Sequence, residues 1–202
     1  FGVSRVTVRE AIRSLEQLGV VEVRRGNTGG AYIKKVNMDE LVQQIANALC
    51  IAGVTFQHLA EARELLEEMI ISKLALFNLN SKHIQRLKKL NEMAKKHYKE
   101  GKNRERLLTN FKFHGAIAEI TRNPLIVFMH KLISKLSIGF FENVVPSDGM
   151  IQNTLKYHDE LINLLEKGDF VKASLLCSRH IKEVSADILA KSKQQISNKS
   201  LS

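Results

Sequence analysis

Phe1-Gly2-Val3-Ser4-Arg5-Val6-Thr7-Val8-Arg9-Glu10-Ala11-Ile12-Arg13-Ser14-Leu15-Glu16-Gln17-Leu18-Gly19-Val20-Val21 opens the 202-residue chain, and its reading decides the fold. Ser4 is a good helix cap, and from Arg5 to Leu18 the apolar residues Val8, Ala11, Ile12, Leu15 and Leu18 recur at the spacing of one buried helix face. Gly19 is placed to end that helix. Val20, Val21 and Val23 then predict a short strand, Arg24-Arg25-Gly26-Asn27-Thr28-Gly29-Gly30 a basic turn, and Ala31-Tyr32-Ile33 a second strand.

A helix that enters the major groove of DNA needs short polar and basic residues at its start and apolar ones behind. Residues 4–18 meet that demand, with Ser4, Arg5 and Thr7 in the first turn and Arg9 one turn on. An ordinary amphipathic helix followed by a hairpin with a solvated tip reads the same residues equally well. Taken as a string of words, however, the opening stretch with Arg24-Arg25-Gly26 and Gly29-Gly30-Ala31-Tyr32-Ile33 resembles the recognition helix and wing of the GntR family of bacterial transcription regulators. The resemblance implies DNA contacts from Ser4, Arg5, Thr7 and Arg9 on the helix and from Arg25 and Gly26 on the wing. It also implies that the first part of the winged helix-turn-helix lies upstream of Phe1.

Beyond Lys35 the glycines thin out, and long helical patterns are broken near Gly53, at Asn78 to Ser81, at Gly101 to Asn103, at Asn123-Pro124, at Pro146 to Gly149 and at Gly168-Asp169. The expected fold is mainly α: a partial winged helix-turn-helix over residues 1–35, then an all-α antiparallel bundle of six to seven helices over residues 36–202. Thr55, Ser81 and Ser147 are the expected caps, Lys34 to Asp39 the hinge, and the stretch from Lys191 onward is expected to fray. With 44% hydrophobic and 26% charged residues and only 2 Pro, the composition excludes collagen-like, low-complexity and disordered classes. No uninterrupted apolar run approaches the roughly 18 residues of a membrane span. Cys50 and Cys177 lack any metal or disulfide spacing and are expected as free buried thiols of a cytoplasmic protein.

Asn110 and His114 are four apart and share a helix face. His158 lies ten residues before Gly168 and His180 eleven after Asp169, so both stand about 15 Å from the turn of a helical hairpin, level with one another. The words Asn110-Phe111-Lys112-Phe113-His114, Asn123-Pro124-Leu125, His158-Asp159-Glu160-Leu161 and His180 resemble the FCD effector domain of the FadR subgroup. That resemblance implies an Asp and three His converging on a metal, matched here by Asn110, His114, His158 and His180. Three imidazoles and an oxygen suit Zn²⁺, Ni²⁺ or Mn²⁺ with positions left for a ligand carboxylate, and Asn in place of Asp weakens the hold. His58, His83, His97 and His130 are expected on the surface or in packing.

Arg63 and Glu67 read either as a surface pair four apart or, by the resemblance, as a helix on which Arg63 reaches the effector and grips its carboxylate. The expectation is a homodimeric repressor that binds double-stranded operator DNA and a small carboxylate effector, with no membrane partner. The rival is a metal-dependent hydrolase built on the same histidines, against which stands the lack of an evident base: Asp159 and Glu160 adjoin His158 but point elsewhere along the helix. The formal charge of +10 is concentrated in residues 82–106, outside the segment read as DNA-binding, and is expected there as a solvated face.

Overall fold

Ser4 caps the first helix, α1 (Arg5–Gln17), by accepting from the Thr7 amide at 3.1 Å. Gly19 adopts a φ of 72°, open to glycine at little cost, and its amide and that of Val20 close the helix onto Glu16 and Leu15 carbonyls. Two antiparallel strands follow, β1 (Val21–Arg24) and β2 (Gly30–Ile33), with Val21 opposite Ile33 and Arg24 opposite Gly30. Their tip has room only for glycine at Gly29, where a Cβ would lie 2.7 Å from the Gly26 carbonyl oxygen and 2.8 Å from that of Arg24.

The computed structural model describes residues 2–35 and 37–199, with side chains described as far as Gln194. Phe1 of the opening motif, Val36 of the expected hinge and Ser200-Leu201-Ser202 of the tail lie outside the described residues. Two units divide the chain, Phe1–Leu41 and Val42–Ser202.

In the first unit the expected buried face of α1 needs correcting. No α1 residue is buried, and Val8, Leu15 and Leu18 are exposed. The main packing partner of α1 is β1, and a two-stranded hairpin is too small to cover it.

Among the described residues from Met38 onward there are seven α-helices: α2 (Met38–Ile51), α3 (Phe56–Ser72), α4 (Ser81–Lys99), α5 (Asn103–Ile120), α6 (Pro124–Asn143), α7 (Asp148–Glu166) and α8 (Phe170–Lys199), with a short 3₁₀ turn at Leu74–Leu76. The mainly α fold and the helix count agree with the sequence pattern, because Gly53, Gly101 and Gly168 all take positive φ at the breaks. Thr55 and Ser147 cap α3 and α7 as expected. Ser81 does not cap α4; Asn80 does, because its carbonyl oxygen reaches the amides of both Lys82 and His83. The helix α8 continues to Lys199 instead of fraying from Lys191, whose ammonium donates to the Val145 carbonyl at 3.0 Å.

The core of the second unit joins α3, α4, α5, α7 and α8 through Ile70, Leu87, Phe113, Leu161 and Ile181. One further correction concerns solvent. Cys50, in the last turn of α2, is exposed, whereas Cys177 is buried. By length and composition α6 could cross a membrane: it has 20 residues, a mean hydropathy of 1.4 in its apolar window and only 22% of that window buried within the chain, although Lys131 and Lys135 interrupt it.

Candidate metal centre and nucleic-acid interface

Arg106, Asn110 and His114 follow one another at four-residue steps and form a polar stripe on the inner side of α5. That stripe lines a small cavity of about 30 Å³, into which α7 brings His158, α8 brings His180 and α3 brings Arg63. The imidazoles of His114, His158 and His180 converge, with one nitrogen of each within 4.8 Å of the others. His158 Nε2 and His114 Nε2 are 3.2 Å apart. Phe113 stacks on the His158 ring at 4.1 Å and fixes its plane. Asn110 Oδ1 faces the same space, buried and without a hydrogen-bond partner.

The outer nitrogens of two of these histidines have their own partners. Glu67 accepts from Arg63 Nε at 2.7 Å through one oxygen and holds the other against His114 Nδ1, with the Cys177 thiol donating to it at 3.6 Å. Burial alone would raise the Glu67 pKa, but the charge of Arg63 and the neighbouring His114 and His130 rings hold it well below the usual carboxylate range, so Glu67 is ionised. An ionised acceptor at Nδ1 keeps the His114 proton there and leaves Nε2 a free lone pair. Asn91 Nδ2 donates to the Leu155 carbonyl at 3.1 Å and to Asp159 at 2.7 Å, so its oxygen is the atom that faces His158 Nδ1 at 3.3 Å. His158 therefore also carries its proton on Nδ1.

Two lone pairs then meet at 3.2 Å with no proton between them. Alone, that arrangement is repulsive. It matches two nitrogens on one cation, because bonds of about 2.0–2.1 Å at angles between octahedral and tetrahedral separate them by about 2.9–3.4 Å. Burial, aided by the neighbouring imidazole of His114, pushes the pKa of His158 and His180 well below the ordinary value, and burial also lowers His114, so the ring nitrogens are neutral and able to coordinate. By residue type and by the orphaned Asn110 oxygen, the four positions fit a divalent cation. Glu67, His114 and Cys177 also converge, but the Arg63 guanidinium beside Glu67 opposes a second cation there.

Arg63 is not at the surface. It is buried, pairs with Glu67, lies over the Phe111 ring at 4.8 Å and lines the cavity. Asn91 and Arg106 are the polar members that the sequence pattern leaves unmarked, although Arg106 four before Asn110 is a periodic signal; Glu67 is read there only as the partner of Arg63, and that pair is buried and not at the surface. His130 is buried beside Glu67, 3.7 Å away, whereas His58 and His83 accept from the backbone amides of the caps Thr55 and Asn80.

In the first unit Ser4, Arg5, Thr7 and Arg9 are exposed along the first two turns of α1. The Ser4 and Thr7 hydroxyls bond each other at 2.9 Å. Arg13 pairs with Glu10, while Arg5 and Arg9 have no ion pair among the described residues. Arg24 is tied to Glu22 and Tyr32, which leaves Arg25 and Gly26 free at the tip, Gly26 with a φ of 116°. Much of the basic stretch 82–106 is neutralised locally: Arg86 pairs with Glu119, Lys88 with Glu166, Lys95 with Asp159 and Arg104 with Glu142.

A profile of the FCD domain matches residues 58–183, and one of bacterial regulatory proteins of the gntR family matches residues 1–32. The HTH-type transcriptional regulator LutR of Bacillus subtilis is 26% identical over 94% of this chain and 86% of its own length. The HTH-type transcriptional repressor NanR of Cronobacter sakazakii is 22% identical over 98% and 76%. Among solved structures, Streptococcus agalactiae GntR superposes with a TM-score of 0.65 at 25% identity, covering 91% of this chain and 82% of that one.

Proposed function

Because the chain belongs to the GntR family of bacterial regulatory proteins and carries an FCD domain, we propose that its helical unit senses a small carboxylate and that this changes how its first unit holds operator DNA. The protein is a DNA-binding transcription regulator with an effector-binding FCD domain, as its family members are, and not an enzyme. The convergence of His114, His158 and His180 beside Arg63 in one buried cavity carries the proposal. Asn110 and the three histidines would hold a divalent cation, which would supply a Lewis-acid centre for one end of the acid, and the guanidinium of Arg63 would grip its carboxylate. Glu67 is no general base for hydrolysis, since Arg63 and His114 keep it ionised and occupied.

The likeness to NanR supports a repressor. Ser4, Arg5, Thr7 and Arg9 read the major groove, and Arg25 and Gly26 reach the neighbouring backbone or minor groove. The exposed face of Val8, Leu15 and Leu18 is where a further helix of a complete winged helix-turn-helix packs. A second copy supplies the second half-site of a palindromic operator. The packed pair α3 and α6 supports the homodimer, because it leaves the apolar side chains of Leu65, Met69, Leu125 and Met129 in solvent, a surface that a second copy would cover. Such a regulator works in the cytoplasm, where its DNA lies.

Elemental analysis of protein purified without chelator tests the centre. About one divalent ion per chain is expected, and none after His114→Ala with His158→Ala. A protein free of metal that binds carboxylates no differently in that double variant would remove the proposed site.

A further inference from the structure

Arg106 is the member of the cavity wall that neither the metal centre nor the Arg63 carboxylate grip uses. Its side chain is only 3% exposed, yet its Nε has no hydrogen-bond partner, and no ion pair reaches it among the described residues. Burial lowers its pKa, but a guanidinium so far above neutrality stays charged. A buried cation without a counter-ion is unfavourable and rare, and proteins keep one where a ligand brings the missing charge. Arg63, the other buried arginine, has Glu67 to balance it.

The surroundings of Arg106 offer no free substitute, since Glu142 on the outer cleft is paired with Arg104 at 2.9 Å. One turn along α5 toward the histidines stands Asn110, which is neutral. The walls of the cavity carry two arginines and no Asp or Glu. The ionisable group whose field reaches Arg106 is Tyr98, and its phenol already donates to Asp148 at 2.6 Å. Arg106 also borders an outer cleft lined by Asn103, Arg104, Glu142 and Val145, and the two spaces share Arg106, Leu107, Phe141 and Pro146. It therefore stands at the end of the cavity that meets the cleft, while His158 and His180 line the inner space alone.

We propose that the effector is a small acid with two anionic groups, one directed to the histidine end of the cavity and the other held by Arg106. A monoanion satisfies one end only. A dicarboxylate and a phosphorylated carboxylic acid share this chemistry. The inference rests on the proposed effector site and adds to it the charge of the ligand and the residue that selects it.

Calorimetric titration of the full chain loaded with Zn²⁺ tests it, with acetate, butyrate and lactate as monoanions and malonate, succinate, glutarate, malate and 3-phosphoglycerate as dianions. The wild type should bind the best dianion about 10- to 100-fold more tightly than any monoanion, the effect of one added charge-assisted pair. Arg106→Gln should abolish that preference and leave monoanion affinity within about twofold, and Arg106→Lys should retain part of it. Whether the carboxylate series or 3-phosphoglycerate binds more tightly identifies the second group. Ligand-free Arg106→Gln should melt no lower than the wild type, because it removes an unpaired buried charge. A lower melting temperature, or equal affinity for both classes of acid, would overturn the role of Arg106. If equal affinity comes with binding that His158→Ala still abolishes, the effector site itself stands; if no acid binds at all, both readings fall.

Discussion

Glu67 and Asn91 do not line the cavity, yet they set which nitrogens His114 and His158 would offer to a cation. Glu67→Gln and Asn91→Ala should each weaken metal binding by about 10- to 100-fold, read by competition with a chromophoric chelator. Glu67→Gln should also destabilise the fold by about 3–5 kcal/mol, since it leaves Arg63 buried without its counter-ion. The same residues set a pH dependence in metal-free protein. His158 and His180 have folded pKa values well below the ordinary 6.5 that they regain on unfolding. As pH falls through about 6.5 the unfolded chain takes up protons that the folded chain refuses, so the melting temperature should stay level above that pH and decline below it. A curve flat from pH 7.5 to 5 would contradict buried neutral rings. Spacing alone brings Asn110 beside His114 and sets His158 level with His180, and their ring centroids follow, His158 to His180 at 5.4 Å. Glu67, Asn91 and Arg106 escape such reading because their roles depend on side-chain directions across α3, α4 and α5, and Arg106 is one more cation in a stretch rich in them.

The boundaries of the helices are legible wherever a glycine or an Asn-Pro pair breaks the pattern, because backbone sterics fix those points locally. Burial is less so. The apolar stripe of α1 specifies a packed face, but what packs on it is not in the pattern, and within the described residues it stays exposed. The end of α8 escapes the pattern because an α-helix propagates through its backbone bonds even where hydrophobic periodicity fades. At this scale two outcomes are expected on operator DNA, measured by fluorescence anisotropy. Arg5→Ala and Arg9→Ala should each weaken binding, with the salt slope falling by about one for each phosphate left without its cation. Gly29→Ala should weaken binding about tenfold while leaving the metal content unchanged, because the added methyl meets two carbonyl oxygens under 3 Å away and displaces the wing tip. Unaltered operator affinity in Gly29→Ala would mean that the tip does not reach DNA.

Over the whole molecule the +10 charge is a poor guide to function, since much of the basic excess in α4 and the start of α5 is answered by acids of α5, α6 and α7. Function instead divides between a small unit with free cations at Arg5, Arg9 and Arg25 and a helical unit with a buried polar cavity. Coupling between them requires only that the acid favour one arrangement by about 1–3 kcal/mol, which changes operator affinity about 5- to 150-fold. The direct measurement is the operator affinity of Zn²⁺-loaded protein titrated with the acid that binds the cavity most tightly, in the wild type and in His158→Ala. A change of about 5- to 150-fold in the wild type that vanishes in the variant is the predicted result. An operator affinity indifferent to an acid that demonstrably fills the cavity would contradict it.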